Sequence, residues 1–248
     1  LERTGTPEKL PWVMNDFGLR GVPCPEAAGI LGAGHLVHFR GTDNQKALDL
    51  VQDYYGVDID HCAGDSIVAT EHSVMTMEGR EGESAAVKRL LDKNPKGLIA
   101  CVGDSYNMMS FVENIIGTEH REQILNRDGT FVVRPDSGSP PEMSLAVIKA
   151  LGDKFGYERN KKGFKVLNPK VATIYGDKID LDMMNEVLLA ITSNDWSADN
   201  IVFGSGGGLL QRHDRDEMKF AFKLSAAEIE GAGWVDVFKD PITDSGKK

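Results

Sequence analysis

The amino-acid sequence predicts an α/β fold in which parallel strands alternate with returning helices and curl into a closed or nearly closed barrel. Three observations carry that expectation. Six apolar runs, HLVHF, SIVAT, GLIACV, TFVV, VATIY and IVF, each stop at a short polar signal. The runs begin near His35, Ser66, Gly97, Thr130, Val171 and Ile201, so their starts lie 30 to 41 residues apart, the length of a strand plus a helix that returns. Each of the intervals also carries apolar residues at helical spacing.

In chain order, the helix after HLVHF follows Asn44 through Ala47, Leu48, Val51, Tyr54 and Tyr55 and stops at Gly56. The next spans residues 84–93 with Ala86, Val87, Leu90 and Leu91 on one face, and the third spans 106–116 before Gly117. Residues 141–151 give a fourth helix with proline in its first turn and Gly152 beyond its end, and residues 179–191 give a fifth. The lysine-rich stretch 157–170 reads as a surface excursion. Residues 219–224 and 234–239 are candidate further strands, which would bring the count to seven or eight. Nothing of linker composition interrupts the chain, so one domain over residues 1–248 is expected.

At 248 residues, with 41% hydrophobic and 27% charged residues, the chain has ordinary globular composition. A formal net charge of −10 argues against a nucleic-acid or anionic-membrane partner, so clustered basic groups call for a small anion such as phosphate. Cys24, Cys62 and Cys101 lack CxxC spacing, which suits a reducing compartment, the cytoplasm by default. No stretch reaches the roughly 18 apolar residues of a membrane span. The chain opens on Leu1 and closes on Gly246-Lys247-Lys248, as the interior of a longer polypeptide would.

In parallel α/β folds the groups beyond the carboxyl ends of the strands share one rim, and the polar signals here would converge there. Phe203-Gly204-Ser205-Gly206-Gly207-Gly208 lets the backbone approach an anion, although the same glycines also suit a tight turn. Arg212, Arg215, Lys219 and Lys223 follow it and tilt the reading to phosphate. Arg134-Pro135-Asp136-Ser137-Gly138 sets a guanidinium fork and a carboxylate two residues apart, suited to phosphate, to ribose hydroxyls or to Mg²⁺. Gly176-Asp177 occupies the same place after the next strand. His72, in Thr70-Glu71-His72-Ser73, is a candidate general base or phosphoryl acceptor by its strand-end position alone. Asp16-Phe17-Gly18-Leu19-Arg20-Gly21 and Arg40-Gly41-Thr42-Asp43 add an aromatic ring, an arginine and carboxylates that can hold a flat heterocycle. No metal ligands are assigned.

DFGLRG, FRGTD, TEHS, GDSYN, VVRPDSG, YGD, FGSGGGLLQ and VFKDP, in this order and at these spacings, closely resemble the nicotinamide phosphoribosyltransferase family, over residues 17–240. The resemblance implies the irregular β/α barrel of the type II phosphoribosyltransferases, preceded by a mixed α/β segment and working as a homodimer with a shared site. It implies transfer of phosphoribose from phosphoribosyl pyrophosphate to nicotinamide, with Mg²⁺ and with ATP as co-substrate. Carried over residue by residue, Phe17 would stack the pyridine ring, with Arg20 beside it, and Asp43 would accept from the carboxamide. Arg134 and Asp136 would hold ring-side groups and the ribose, and Gly176 and Asp177 the ribose. Gly206, Gly207 and Arg215 would bind the 5′-phosphate, and Lys223 and Lys239 the pyrophosphate or ATP phosphates. His72 would be phosphorylated by ATP, making His72, Asp136 and Asp177 the implied catalytic set. Two positions depart from the family pattern: Asn107 stands where a carboxylate near the histidine is usual, and Gly103 where serine is common. The family's second stacking tyrosine comes from the partner's N-terminal segment. A nicotinate-specific enzyme and a catalytically idle nucleotide-binding homologue are the competing readings, the first disfavoured by the repulsion between Asp43 and a second carboxylate.

Overall fold

Short parallel strands run through the chain, and the computed structural model describes them over residues 1–58, 61–210 and 224–237. The strands are β1 (Met14–Asp16), β2 (Gly41–Thr42), β3 (Val68–Ala69), β4 (Ile99–Val102), β5 (Phe131–Arg134), β6 (Tyr157–Arg159), β7 (Lys165–Leu167), β8 (Val171–Tyr175), β9 (Ile201–Ser205), β10 (Ala226–Ile229) and β11 (Gly233–Asp236). The helices are α1 (Pro25–His35), α2 (Gln45–Tyr55), α3 (His72–Thr76), α4 (Glu83–Lys93), α5 (Met108–Ser110), α6 (Arg121–Asn126), α7 (Pro140–Phe155), α8 (Leu181–Thr192) and α9 (Gly207–Leu210), with a π-helix over Phe111–Glu119. The chain divides into two compact units, residues 1–212 and 213–248. Within the second, β10 and β11 form an antiparallel hairpin.

The first unit is built on a seven-stranded sheet in the order β2-β1-β9-β8-β5-β4-β3, parallel throughout. Its two edges meet. Thr42 N–H donates to Asp65 O at 3.0 Å and Asp65 N–H to Arg40 O at 2.6 Å, just ahead of β3, so the curled sheet closes through a single bridge. The result is an irregular β/α barrel. Alternation along the strands separates two apolar layers. Ile99, Cys101, Phe131, Val133, Val171, Ile201 and Phe203 pack with helix residues such as Leu91, Ile148, Leu151 and Ile191. The other parity, Ala100, Val132, Ile174, Ala172 and Val202, forms a small cluster with Phe17. Strands covered on both faces read as unbroken apolar runs, which is why β4, β5, β8 and β9 were visible in the sequence.

HLVHF is not a strand. It holds the end of α1 and the following turn, where His35 is buried with Nε2 2.9 Å from Gly41 O and its ring stacked on Phe39. A short apolar run does not distinguish a strand from a buried helix end. The barrel's two remaining strands are instead β1 and the two-residue β2; β1 was inconspicuous because two of its three residues are polar and used internally: Asn15 Nδ2 donates to Phe203 O at 3.0 Å and Asp16 is fully buried. Of the candidate strand at 234–239, residues 234–236 belong to β11, which among the described residues pairs with β10, and residues 219–223, 238 and 239 lie outside the described residues.

Two helix ends also differ from expectation. Gly117 does not stop its helix but sits inside the π-helix, which runs on until His120 N–H donates to Ile115 O at 2.9 Å. Gly152 lies within α7, where a side chain would strike the Trp196 indole; the helix ends at Gly156, whose φ of 85° favours glycine. The excursion at 157–170 is the β6–β7 hairpin, with Lys165 Nζ 5.5 Å from the Tyr157 ring and 5.3 Å from that of Trp196. The helix expected after Asn44 forms as α2, with Asn44 Oδ1 accepting from Ala47 N–H, a cap contributing about 1 kcal/mol, and Gly56 closing it in a left-handed conformation.

Candidate active site

The carboxyl ends of β1, β5, β8 and β9 open on one cleft of about 400 Å³. Phe17, Arg20, Arg134, Asp136, Gly176, Asp177, Gly206 and Gly207 line it together. Eight residues singled out in the sequence, from four separate segments, therefore share one wall. Gly21, Lys178, Ile179, Asp180 and Gly208 complete it.

Phe17 is held at the rim by its backbone and by two glycines. Its N–H donates to Ser205 O at 2.9 Å, extending the β1–β9 pairing by one step. Any side chain at 204 would occupy the space of the Phe17 ring, and the ring also lies against Gly176. Asp16 fixes the turn that follows: Oδ1 accepts from Gly18 N–H at 2.8 Å and Oδ2 from Asn44 Nδ2 at 2.9 Å. Its carboxylate is thereby committed to the fold.

Arg134 and Asp136 form a half-buried ion pair, Nη2 to Oδ1 at 3.2 Å, at the end of β5. Behind them the Tyr175 hydroxyl donates to Ser137 O at 3.0 Å. Burial, and then the charges of Asp177, Asp104 and Asp136, push the Tyr175 phenol up to about 12, so it stays protonated and three carboxylates face one corner. Lys178 takes a left-handed backbone, φ 55°, in the turn between Asp177 and the α8 cap Asp180, whose side chain accepts from Met183 N–H at 2.9 Å.

His72 opens α3 and does not line the cleft wall. Its Nε2 lies 3.0 Å from Oδ1 of Asp104. Asp104 also accepts from Asp136 N–H at 3.1 Å and from the Ser137 hydroxyl. Burial alone raises the Asp104 carboxyl, but the hydrogen bonds from Ser137, His72 and Asp136 N–H outweigh it and hold the group below its ordinary value. Asp104 was not among the residues singled out, although GDS after the third apolar run contained it. Asn107, which stands where the resemblance places a carboxylate near the histidine, caps α5 by accepting from Ser110 N–H at 2.9 Å. At Gly103 an added side-chain carbon would run into the Phe111 ring, which accounts for glycine there.

Asp43 stands exposed beyond β2, accepting from the Ser66 hydroxyl at 2.6 Å, and is not part of the cleft wall. Its neighbour Arg40 pairs with Asp65 at 2.6 Å across the barrel's closing seam. Arg212, Arg215, Lys219, Lys223 and Lys239 lie outside the described residues. Among the described residues no three His, Cys, Asp or Glu side chains group as a metal site. The three cysteines are free, and no described helix is long and apolar enough to cross a membrane.

A parallel β/α barrel with its charged groups and glycines gathered at the strand carboxyl ends is the architecture of the barrel enzymes. Residues 12–248 match the nicotinate phosphoribosyltransferase (NAPRTase) family, and the chain belongs to it. It is 44% identical over 252 residues to a protein named nicotinamide phosphoribosyltransferase from Xanthomonas campestris pv. campestris (strain 8004), across 100% of this chain and 53% of that protein. Proteins of the same name from Mycoplasma pneumoniae (strain ATCC 29342 / M129 / Subtype 1) and Acinetobacter baylyi (strain ATCC 33305 / BD413 / ADP1) are 35% and 32% identical, each over 94% of this chain and 51% and 50% of their own lengths. The chain spans about half the length of these relatives.

Proposed function

We propose that the whole protein joins nicotinamide to 5-phosphoribosyl 1-pyrophosphate, giving nicotinamide mononucleotide and pyrophosphate in NAD salvage, in the cytoplasm. One observation carries the reading: a phenylalanine, an arginine–aspartate pair, an aspartate on a second strand end and a glycine run meet in one cleft of about 400 Å³. The names of the relatives support the same choice of substrate.

In this reading Phe17 stacks the pyridine ring and Arg20 stands beside it. Asp177 and Gly176 hold the ribose, and the backbone N–H groups at Gly206 and Gly207 receive the 5′-phosphate, with Arg215 adding its fork and Lys223 and Lys239 meeting pyrophosphate or ATP phosphates. As pyrophosphate leaves, positive charge grows on the ribose. Asp136 and Asp177 oppose that charge, and groups fixed in advance of the reaction are the strongest kind of catalyst for such a step. Arg134 holds Asp136 in place and takes ring-side oxygen. Mg²⁺ suits this donor set as an ion that arrives on phosphate oxygens and takes only one or two carboxylates, Asp136 and Asp177, from the protein. When bound, it would neutralise charge on the departing pyrophosphate.

His72 is proposed as the phosphoryl acceptor from ATP, a step that would tighten substrate binding. Phe17 is the single aromatic residue of the cleft wall among the described residues, so the second face of the pyridine is proposed to be covered from the partner of a homodimer. Asp43 is proposed as the selector for the carboxamide, approached by the ring's outer edge.

The test is mononucleotide formation by the full-length protein from phosphoribosyl pyrophosphate and Mg²⁺, with nicotinamide or nicotinate and with or without ATP. Nicotinamide mononucleotide is the expected product, and nicotinate should be poorly used. Preference for nicotinate, or no mononucleotide from either base, would overturn the reading. In Asp43→Asn the discrimination should fall by about 0.5–1.5 kcal/mol, the usual net contribution of one hydrogen bond. Undiminished selectivity would remove Asp43 from this role.

A further inference from the structure

The turn that carries Asp177 into the cleft carries a lysine beside it. Lys178 lines the same wall, and its Nζ stands 3.7 Å from Asp177 Oδ2. Lys178 and Asp195 are the two described residues other than glycine with positive φ, 55° and 64°, and Asp195 lies outside that wall. A lysine strained in this way persists only where its surroundings fix the backbone. Here they do so on both sides. The Ser205 hydroxyl donates to Ile179 O at 2.8 Å, a side chain added at Gly208 would press on that same oxygen, and Asp180 caps α8. The turn is therefore pinned against the glycine run, with Lys178 the residue between Asp177 and the point of contact.

The pairing with Asp177 is loose. The Lys178 side chain is 74% exposed, and an exposed pair at this distance contributes little, so the ammonium is free to leave for a better anion. The corner around Asp177 is rich in carboxylates, since Asp177, Asp104 and Asp136 all act on the Tyr175 phenol. A phosphate received at the glycines would be repelled there unless a cation stood with it. We propose that Lys178 is a phosphate-binding residue that exchanges partners: its ammonium moves from Asp177 to the 5′-phosphate of phosphoribosyl pyrophosphate held at Gly206 and Gly207, which leaves the Asp177 carboxylate to the ribose hydroxyls. The inference rests on the proposed function of the cleft. It gives the strained backbone a use, because an unstrained glycine at 178 would keep the turn and lose the cation. It also makes recognition of phosphate and ribose interdependent, because a sugar without phosphate meets an aspartate still paired with lysine.

Lys178→Gly removes the ammonium while suiting the left-handed turn, and Lys178→Arg keeps a cation there. Calorimetric binding to the full-length protein, with each variant shown to be folded by its unfolding transition, separates the phosphate from the rest of the ligand. Nicotinamide mononucleotide and ribose 5-phosphate carry that phosphate, and nicotinamide riboside does not. In Lys178→Gly the affinity for both phosphorylated probes should fall about 10-fold, the loss expected for one hydrogen bond to a charged group, and KM for phosphoribosyl pyrophosphate should rise by a similar factor. Affinity for the riboside should hold or rise, since Asp177 is bared, and KM for nicotinamide should stay as it was. Lys178→Arg should recover most of the phosphate-dependent affinity. The unfolding midpoint of Lys178→Gly should be no lower than that of the wild type, which a merely structural role for the lysine would not give. Unchanged affinity for ribose 5-phosphate in Lys178→Gly, or an equal loss for mononucleotide and riboside, overturns the proposal. A wild type that binds ribose 5-phosphate through Lys178 yet makes no nicotinamide mononucleotide would overturn the proposed function and leave Lys178 as a phosphate-binding residue; one that binds neither phosphorylated probe would overturn both.

Discussion

Phe17 owes its position to absences as much as to contacts. Its ring fills the space that a side chain at 204 would need, and Asp16, satisfied by Gly18 N–H and Asn44, holds the turn beneath it. Gly204→Ala should therefore push the ring off its seat, lowering stability by about 1–3 kcal/mol through overpacking and raising KM for the pyridine substrate more than it lowers kcat. Thermal unfolding and steady-state kinetics check both; an unchanged KM would mean that the ring does not hold substrate. At this scale the sequence revealed residues whose chemistry is local. Phe17, Arg134, Asp136, Gly176, Asp177, Gly206 and Gly207 announce themselves by residue type at a strand end, and they do share the cleft. Asp104 stayed hidden because its partners, His72, Asp136 and Ser137, lie 32 or 33 residues away, and a hydrogen bond across neighbouring strand tips leaves no trace in local spacing.

Among the elements, visibility followed burial. β4 and β5 are covered on both faces and appear as apolar runs, whereas β1 is only three residues long and two of them, Asn15 and Asp16, are polar groups that pair inside the barrel where composition alone suggests a loop. HLVHF misled for the opposite reason, being an apolar helix end with a buried histidine. Glycine was a poor stop signal where packing, not chain reversal, required it. In α7, Gly152 admits the edge of Trp196, so Gly152→Ala should destabilise by about 1–3 kcal/mol despite alanine's better helix propensity. Denaturant unfolding checks this, with the cleft's substrate affinity expected to stay as it was; a stabilised variant would show that propensity outweighs the clash.

For the molecule as a whole, closure of the sheet is what turns scattered strand-end signals into one site. The ring β2-β1-β9-β8-β5-β4-β3 brings β1, from the start of the chain, between β2 and β9, so that Phe17 meets glycines nearly 190 residues later in the sequence. The regular strand-and-helix rhythm made the barrel readable, but not which strands complete it: among the described residues those are β1 and β2, while β11 pairs with β10. The central claim is that the cleft at the ends of β1, β5, β8 and β9 is where phosphoribosyl transfer occurs. Arg134 is the most direct probe, since its side chain lines that cleft and its one described ion pair is with another cleft residue. The decisive measurement is mononucleotide and pyrophosphate release by full-length wild type and Arg134→Ala, each shown to be folded by its unfolding transition. The wild type should release the two products in equal amounts, and Arg134→Ala should be slower by about 100-fold to 1,000-fold, the loss typical of removing one fixed electrostatic group. A folded Arg134→Ala protein that makes mononucleotide at the wild-type rate would contradict the account.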